Sequence, residues 1–223
     1  MFKKLTITFV TFVVIGAAGT VAFLYMTRPP AAPTQDAGTR VPALPAAPSE
    51  KHYRINPSGS KVTFRIGEIL RGKPFTAVGV TSDVAGDIVV SNNAVTLGAL
   101  AVNARTFKTD SPQRDGAISR FILKSQDPAN EFIDFKPTGP VAVSTQTNSS
   151  ITFTLSGSLT VSGVTKPASF TVVSTVSDQA VTGKATVKLK RSDFKLAIPN
   201  IPFVASVDDE FTVTADVVAP IVQ

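Results

Sequence analysis

The sequence predicts an all-β domain of about eight antiparallel strands with one short helix inserted midway, carried behind a single N-terminal transmembrane helix. Three observations predict it. From Lys51 onward apolar and polar residues alternate with a period of two, as half-buried antiparallel strands require. Turn signals separate the alternating runs, and no strand–helix–strand alternation points to a parallel sheet. Ahead of the domain, Leu5 to Met26 is a run of 22 residues without a charge.

Taken in order, residues 1–4 form a cytoplasmic tip and residues 5–26 the membrane anchor. As a helix rising about 1.5 Å per residue, the run reaches roughly 33 Å, enough for a bilayer core of about 30 Å. Lys3 and Lys4 precede it and only Arg28 follows closely. The positive-inside rule therefore puts the N-terminus in the cytoplasm and the rest outside, as a single-pass protein of the cell membrane. A cleaved signal peptide is the rival reading, with Gly16, Ala17, Ala18 and Gly19 as the cleavage region. The apolar run continues past that cluster to Met26, which favours a retained anchor. Either way the C-terminal domain is extracytoplasmic, periplasmic or extracellular.

Residues 27–50 are a linker. Pro and Ala account for 12 of its 24 residues, with Pro at 29, 30, 33, 42, 45 and 48. Frequent Pro opposes helix and sheet and favours an extended, semi-rigid spacer.

Residues 51–223 form the domain. Val62, Phe64 and Ile66 alternate with Thr63 and Arg65. The same alternation recurs at Ile151–Leu155, Val187–Lys190 and Phe211–Val217. Further strand candidates are 84–90, 95–104, 135–144 and 166–174. Asn92-Asn93, Asn148-Ser149 and Ser177-Asp178 supply turns. Pro112 to Ser125 breaks the pattern: Ala117, Ile118, Phe121 and Ile122 recur at helical spacing, Asp110 or Ser111 can cap, and Pro112 suits the first turn. Eight strands with one apolar face each close naturally into a barrel, which removes exposed edges and can enclose one small ligand. A two-sheet sandwich satisfies the same periodicity.

Composition narrows the chemistry. The chain has no Cys, one His, no Trp, two Tyr and fifteen Phe. Disulfides, thiolate sites and multi-imidazole centres are excluded. A Ser-His-Asp triad would have to use His52, beside the linker. Asp208, Asp209 and Glu210 are consecutive, so they cannot share one strand face and read as a solvated turn rather than a metal site. No phosphate loop or Rossmann glycine pattern occurs. Residues 51–223 carry 18 Lys and Arg against 14 Asp and Glu. Their one basic cluster, Lys184, Lys188, Lys190 and Arg191, lacks interleaved aromatics, which argues against nucleic acid.

Several segments carry a family resemblance. Leu159-Thr160-Val161-Ser162-Gly163-Val164-Thr165-Lys166-Pro167 resembles a hairpin of the YceI-like family. Arg191-Ser192-Asp193-Phe194 with Val207-Asp208-Asp209-Glu210-Phe211 resembles its last hairpin. Tyr53-Arg54-Ile55-Asn56-Pro57, Ser60–Phe64 and Asn103–Phe107 with Arg114-Asp115 resemble its opening strand and helix entry. Asn56 and Ala117 depart from residues common in the family. The resemblance implies a lipocalin-like, extracytoplasmic barrel that encloses a polyisoprenoid or isoprenoid quinone.

A long isoprenoid chain offers no hydrogen-bonding groups, so it needs an apolar lining. The candidates are Phe64, Ile66, Phe75, Val102, Phe121, Ile122, Phe135, Phe153, Phe170, Phe194 and Phe211, with Phe107 and Phe203 also in the Phe set. Each is equally readable as core. Arg71 and Arg114 are candidates for a polar mouth that meets a quinone carbonyl or a phosphate, although Arg114-Asp115 also suits a local pair in the first helical turn. Gly163, between Val161 and Val164, is expected at positive φ in a tight turn. Three function classes follow: a membrane-tethered carrier or sequestering protein for an isoprenoid lipid, without catalysis; a ligand-free adhesion or scaffolding barrel; and a hydrolase, which the single His opposes. No metal or covalent cofactor is expected. Candidate protein partners are a second copy or a membrane redox protein.

Overall fold

The computed structural model describes residues 31–91, 93–144, 148–199 and 204–222. The expected anchor at Leu5–Met26, and Phe203, lie outside them. Among the described residues no helix is long and apolar enough to cross a membrane.

The strands are β1 Lys51–Arg54, β2 Lys61–Leu70, β3 Lys73–Thr81, β4 Val84–Ala85, β5 Asp87–Val90, β6 Ala94–Leu97, β7 Leu100–Asn103, β8 Phe132–Pro137, β9 Val141–Ala142, β10 Ser150–Val161, β11 Val164–Val176, β12 Ala180–Lys190 and β13 Val204–Pro220. Every pairing is antiparallel. The large sheet runs β3-β2-β13-β12-β11-β10-β8-β7-β4, and the small one β1-β5-β6-β9.

The two ends of the large sheet, β3 and β4, are separated in the chain only by Ser82 and Asp83. One stretch, Lys73–Ala85, thus pairs with β2 along its first part and with β7 along its second. Counted as one strand, it turns the nine-member order into a nearly closed eight-stranded barrel. This resolves the choice between barrel and sandwich, because a sandwich would leave those edges apart. The strand count needs correction in detail. Lys73–Thr81 forms a strand absent from the expected set, since Lys73 to Thr76 are all exposed and show no alternation. The expected runs 84–90, 95–104 and 135–144 are each divided between the two sheets, with breaks at Gly86, at 98–99 and at 138–140.

Turn chemistry fixes the hairpins. Arg71-Gly72 joins Leu70 to Lys73 with φ of 52° and 77°, and Ser162-Gly163 joins Val161 to Val164 with φ of 48° and 76°. Two residues at positive φ match the right-handed strand twist. Gly163 is thus at the positive φ its neighbours predict.

Among the described residues there are two short α-helices, α1 Ala37–Arg40 and α2 Pro112–Ala117. Ser111 Oγ accepts from the Arg114 amide at 3.4 Å, and Pro112 stands in the first turn of α2, which locates its start as expected. The helix is shorter than the expected Pro112–Ser125 span. It continues as a π-helical turn, Ile118–Ile122, closed by the Leu123 amide on the Ile118 carbonyl at 2.8 Å. The wider turn carries Ile118, Ile122 and Leu123 to one side.

Residues 31–50 run along the outside of the barrel as a strap. The Thr34 amide and hydroxyl donate to Glu131 at 2.7 and 2.6 Å. The Ala37 amide donates to Asp83 at 2.8 Å, and the Leu44 amide to Asp87 at 2.7 Å. Arg40 makes two bonds to Asp134, at 2.9 and 2.7 Å, and stacks over Phe132. Ala37 is fully buried. The proline pattern predicts an extended segment, and the segment is largely extended; three of its backbone donors, the amides of Thr34, Ala37 and Leu44, are taken by barrel carboxylates.

Candidate functional site

Alternation sends every second side chain of the barrel strands inward. On β2 these are Val62, Phe64, Ile66, Glu68 and Leu70; on β13 they include Phe211, Val213, Ala215 and Val217. They do not fill the interior. A cavity of about 700 Å³ remains, within the size range of ligand sites. Its wall also takes Val102 from β7, Phe135 from β8, Phe170 from β11 and Leu189 from β12. Phe135 and Phe170 meet edge to face with centroids 5.1 Å apart, and Phe64 meets Phe107 at 5.5 Å. Gly157 makes the first pair possible: a Cβ there would lie 2.4 Å from the Lys136 carbonyl oxygen and 2.5 Å from Phe135 Cζ.

The polar wall residues gather where the β2–β3 hairpin, α2 and the segment after β12 meet. They are Glu68, Arg71, Asp110, Ser111, Gln113, Arg114 and Arg191. Arg71, Asp110 and Gln113 are exposed, which marks this end as the mouth. Arg114 is held there on three sides. Its Nη2 donates to buried Glu68 at 2.8 Å, its Nη1 to Asp110, and its guanidinium stacks over Phe75 at 5.2 Å. A buried carboxylate beside a cation avoids the cost of an unpaired charge. Arg191 donates to the backbone carbonyls of Asp208 and Leu196, each at 3.0 Å. The site is thus an apolar tube with a guanidinium-rich polar collar at one end.

The structure brings seven of the eleven lining candidates to this wall: Phe64, Ile66, Val102, Ile122, Phe135, Phe170 and Phe211. Phe107, Arg71 and Arg114 line it as well. Four candidates lie off it. Phe75 sits on the exposed start of β3, under Arg114, at 36% exposure. Phe121 is on the π-turn, whose Ile118 and Ile122 take the inner side instead. Phe153 has inward parity on β10 but packs into the core without reaching the cavity. Phe194 is buried within the 3-10 turn Arg191–Phe194, a packing role. Glu68, Asp110, Ser111, Gln113 and Arg191 were missed. For Glu68 the signal existed, since it shares the parity of Val62, Phe64 and Ile66.

A second polar cluster lies outside the barrel, under the strap. Arg105 and Glu131 are both buried and 3.2 Å apart; Arg105 also donates to the carbonyls of Ala32, Ser125 and Gln126. Asp87 accepts from Arg54 at 2.7 and 3.0 Å and from Leu44, with His52 Nε2 at 3.3 Å. Burial alone would raise the Asp87 pKa. The bonds from Arg54 and Leu44, the Arg54 charge and His52 outweigh it and hold the pKa below the ordinary 3.8. Burial alone would likewise raise the Glu131 pKa; the Thr34 bonds, the Arg105 charge and the Asn103 bond outweigh it and hold it below the ordinary 4.5. These groups anchor the strap. Among the described residues no cluster of three or more His, Cys, Asp or Glu could hold a metal ion. The basic cluster is engaged in part, with Lys188 on Glu210 at 2.9 Å and Lys184 on Asp216 at 3.3 Å.

The YceI-like domain family matches residues 53–219. Three solved structures share the fold. A polyisoprenoid-binding domain from Saccharophagus degradans, implicated in plant cell wall breakdown, superposes with a TM-score of 0.62 at 11% identity, covering 76% of this chain and 98% of its own. Burkholderia cenocepacia BcnA gives 0.58 at 14% identity, covering 74% and 98%. The Campylobacter jejuni YceI protein gives 0.52 at 16% identity, covering 65% and 85%. No curated protein matches the sequence.

Proposed function

This chain belongs to the YceI-like family, and we propose that its barrel is a membrane-tethered, extracytoplasmic binding protein that holds an isoprenoid lipid rather than an enzyme that converts one. The observation that carries this reading is the cavity of about 700 Å³, walled by Phe, Ile, Leu and Val and collared by charge at one end only. A polyprenyl or isoprenoid-quinone tail has that polarity pattern. Each CH₂-sized unit that leaves water contributes roughly 0.8 kcal/mol, so the tail gains affinity without polar partners. The head group, a quinone carbonyl or a phosphate, falls at the collar near Arg71 and Arg114. A ligand-free scaffold would fill its core, so the open interior favours carriage or sequestration. Lys3 and Lys4 before an uncharged 22-residue run support the tether and its orientation.

The parity of β11 supplies a test. Phe170 faces the cavity, and its neighbour Thr171 is exposed on the opposite face. Delipidated protein is titrated with an isoprenoid quinone. Phe170→Arg is expected to weaken binding at least about tenfold, because an unpaired charge enters an apolar space. Thr171→Arg is expected to bind as wild type. Equal binding by both variants would contradict an interior site.

A further inference from the structure

Two features outside the cavity bear on where its ligand comes from. The first is the course of the strap. Traced backward from β1, it passes Asp87 through Leu44, Asp134 through Arg40, Asp83 through Ala37 and Glu131 through Thr34. It reaches Ala32 at Arg105, whose guanidinium also grips the carbonyls of Ser125 and Gln126 at the end of the helical insert. The start of that insert, Asp110 to Arg114, forms part of the mouth. The strap therefore delivers the chain to the insert-bearing side of the barrel. From Ala32 back to Met26 is six residue steps, at most about 21 Å even when fully extended. The longest strand, β13, has 17 residues, or roughly 56 Å. A tether so much shorter than the barrel keeps that side close to whatever holds Met26.

The second feature is the rim. The β2–β3 hairpin presents Leu70, Arg71, Lys73, Pro74 and Phe75, all exposed except half-buried Leu70. Residues 195–199 add exposed Lys195 and half-buried Ile198. Leu70, Arg71 and Ile198 are also on the cavity wall, so this apolar and basic rim forms part of the mouth, across from exposed Asp110 and Gln113, of which Asp110 is already paired with Arg114. No carboxylate occurs from Ile69 to Ser82 or from Phe194 to Pro199. Apolar side chains interspersed with cations suit the interface of an anionic bilayer, where both parts find their complement.

We propose that the mouth docks on the surface of an anionic lipid bilayer, so that the isoprenoid tail passes between membrane and cavity without crossing water. This rests on the reading of Leu5–Met26 as a membrane anchor. The strap sets the approach and the rim makes the contact. Lys73 and Lys195 attract the lipid head groups, and Leu70, Phe75 and Ile198 enter the interface.

The chain has no cysteine, so single spin labels can be placed without background. The full chain carrying Lys73→Cys, Ala197→Cys or Gln179→Cys is reconstituted in phosphatidylglycerol-containing vesicles. Collision with oxygen, which partitions into lipid, is compared with collision with a water-soluble nickel chelate. The two rim labels are expected to favour oxygen severalfold over the Gln179 label, which sits in the hairpin between β11 and β12. Lys73→Glu with Lys195→Glu, in a background carrying the Ala197→Cys label, is expected to remove that preference at unchanged melting temperature. Rim labels that match the Gln179 label would overturn the proposal. Salt-resistant flotation with neutral phosphatidylcholine vesicles reads the anchor separately. Flotation without rim contact rejects the docking and leaves the anchor standing, whereas no flotation rejects both. The lipid in the cavity is read independently, from the extract of the same protein.

Discussion

Glu68 owes its place to parity. It follows Val62, Phe64 and Ile66 on the inner face of β2, and its burial is made tolerable by Arg114, 46 residues away in sequence. The parity is legible in the sequence; the partner is not, because it depends on where the insert folds over the barrel. The same limit explains the misplaced aromatics. Alternation assigns Phe153 to the inside correctly but does not say how far along the barrel it lies, and Phe121 falls in a π-turn whose extra residue shifts the helical face. Gly163 is the opposite case: its position between Val161 and Val164 is a local signal, and φ there is 76°. A β-branched residue at positive φ costs about 1–3 kcal/mol. Gly163→Val is therefore expected to lower the melting temperature by at least about 2 °C. A melting curve superimposable on wild type would contradict the strain.

At the scale of elements, strands and hairpins were legible because their signals are local, and the strap was not. Proline content says that residues 27–50 are extended, but not which groups accept their hydrogen bonds. Here the acceptors are carboxylates, so the docking is linked to pH. Asp87 and Glu131 have folded pKa values below their ordinary 3.8 and 4.5. The unfolded or undocked state then binds more protons in acid, and stability from these contacts is present above the ordinary values and lost as pH falls through the folded ones. The amides of Ala37 and Leu44, which donate to Asp83 and Asp87, report it. Their hydrogen-exchange protection, corrected for intrinsic rate, is expected to hold at neutral pH. It should drop below about pH 4, before the amides of β12 lose protection. Protection that persists to the acid unfolding of the barrel would contradict the linkage.

For the whole molecule, the class of fold and its closure into a barrel were legible, while the stretch that closes it was not. Lys73–Ala85 completes the barrel by pairing with β2 and β7, a non-local arrangement that no periodicity records. The apolar interior was legible as a lining, while its being open rather than packed depended on how the strands close around it. The reading of Leu5–Met26 as a retained anchor leads to one expectation at this scale: N-terminal sequencing of the membrane fraction should find no mature start between Ala17 and Ala32, and such a start would mean a released, exported protein. The central claim is that the barrel interior holds an isoprenoid lipid. The most direct measurement is mass spectrometry of an organic extract from protein purified without detergent, read against an extract of Phe170→Arg prepared in parallel. A polyprenyl or isoprenoid-quinone species near one per chain in the wild type, and depleted in the variant, is the predicted result. An extract free of isoprenoid, from protein that also takes up none on reconstitution, would contradict the account.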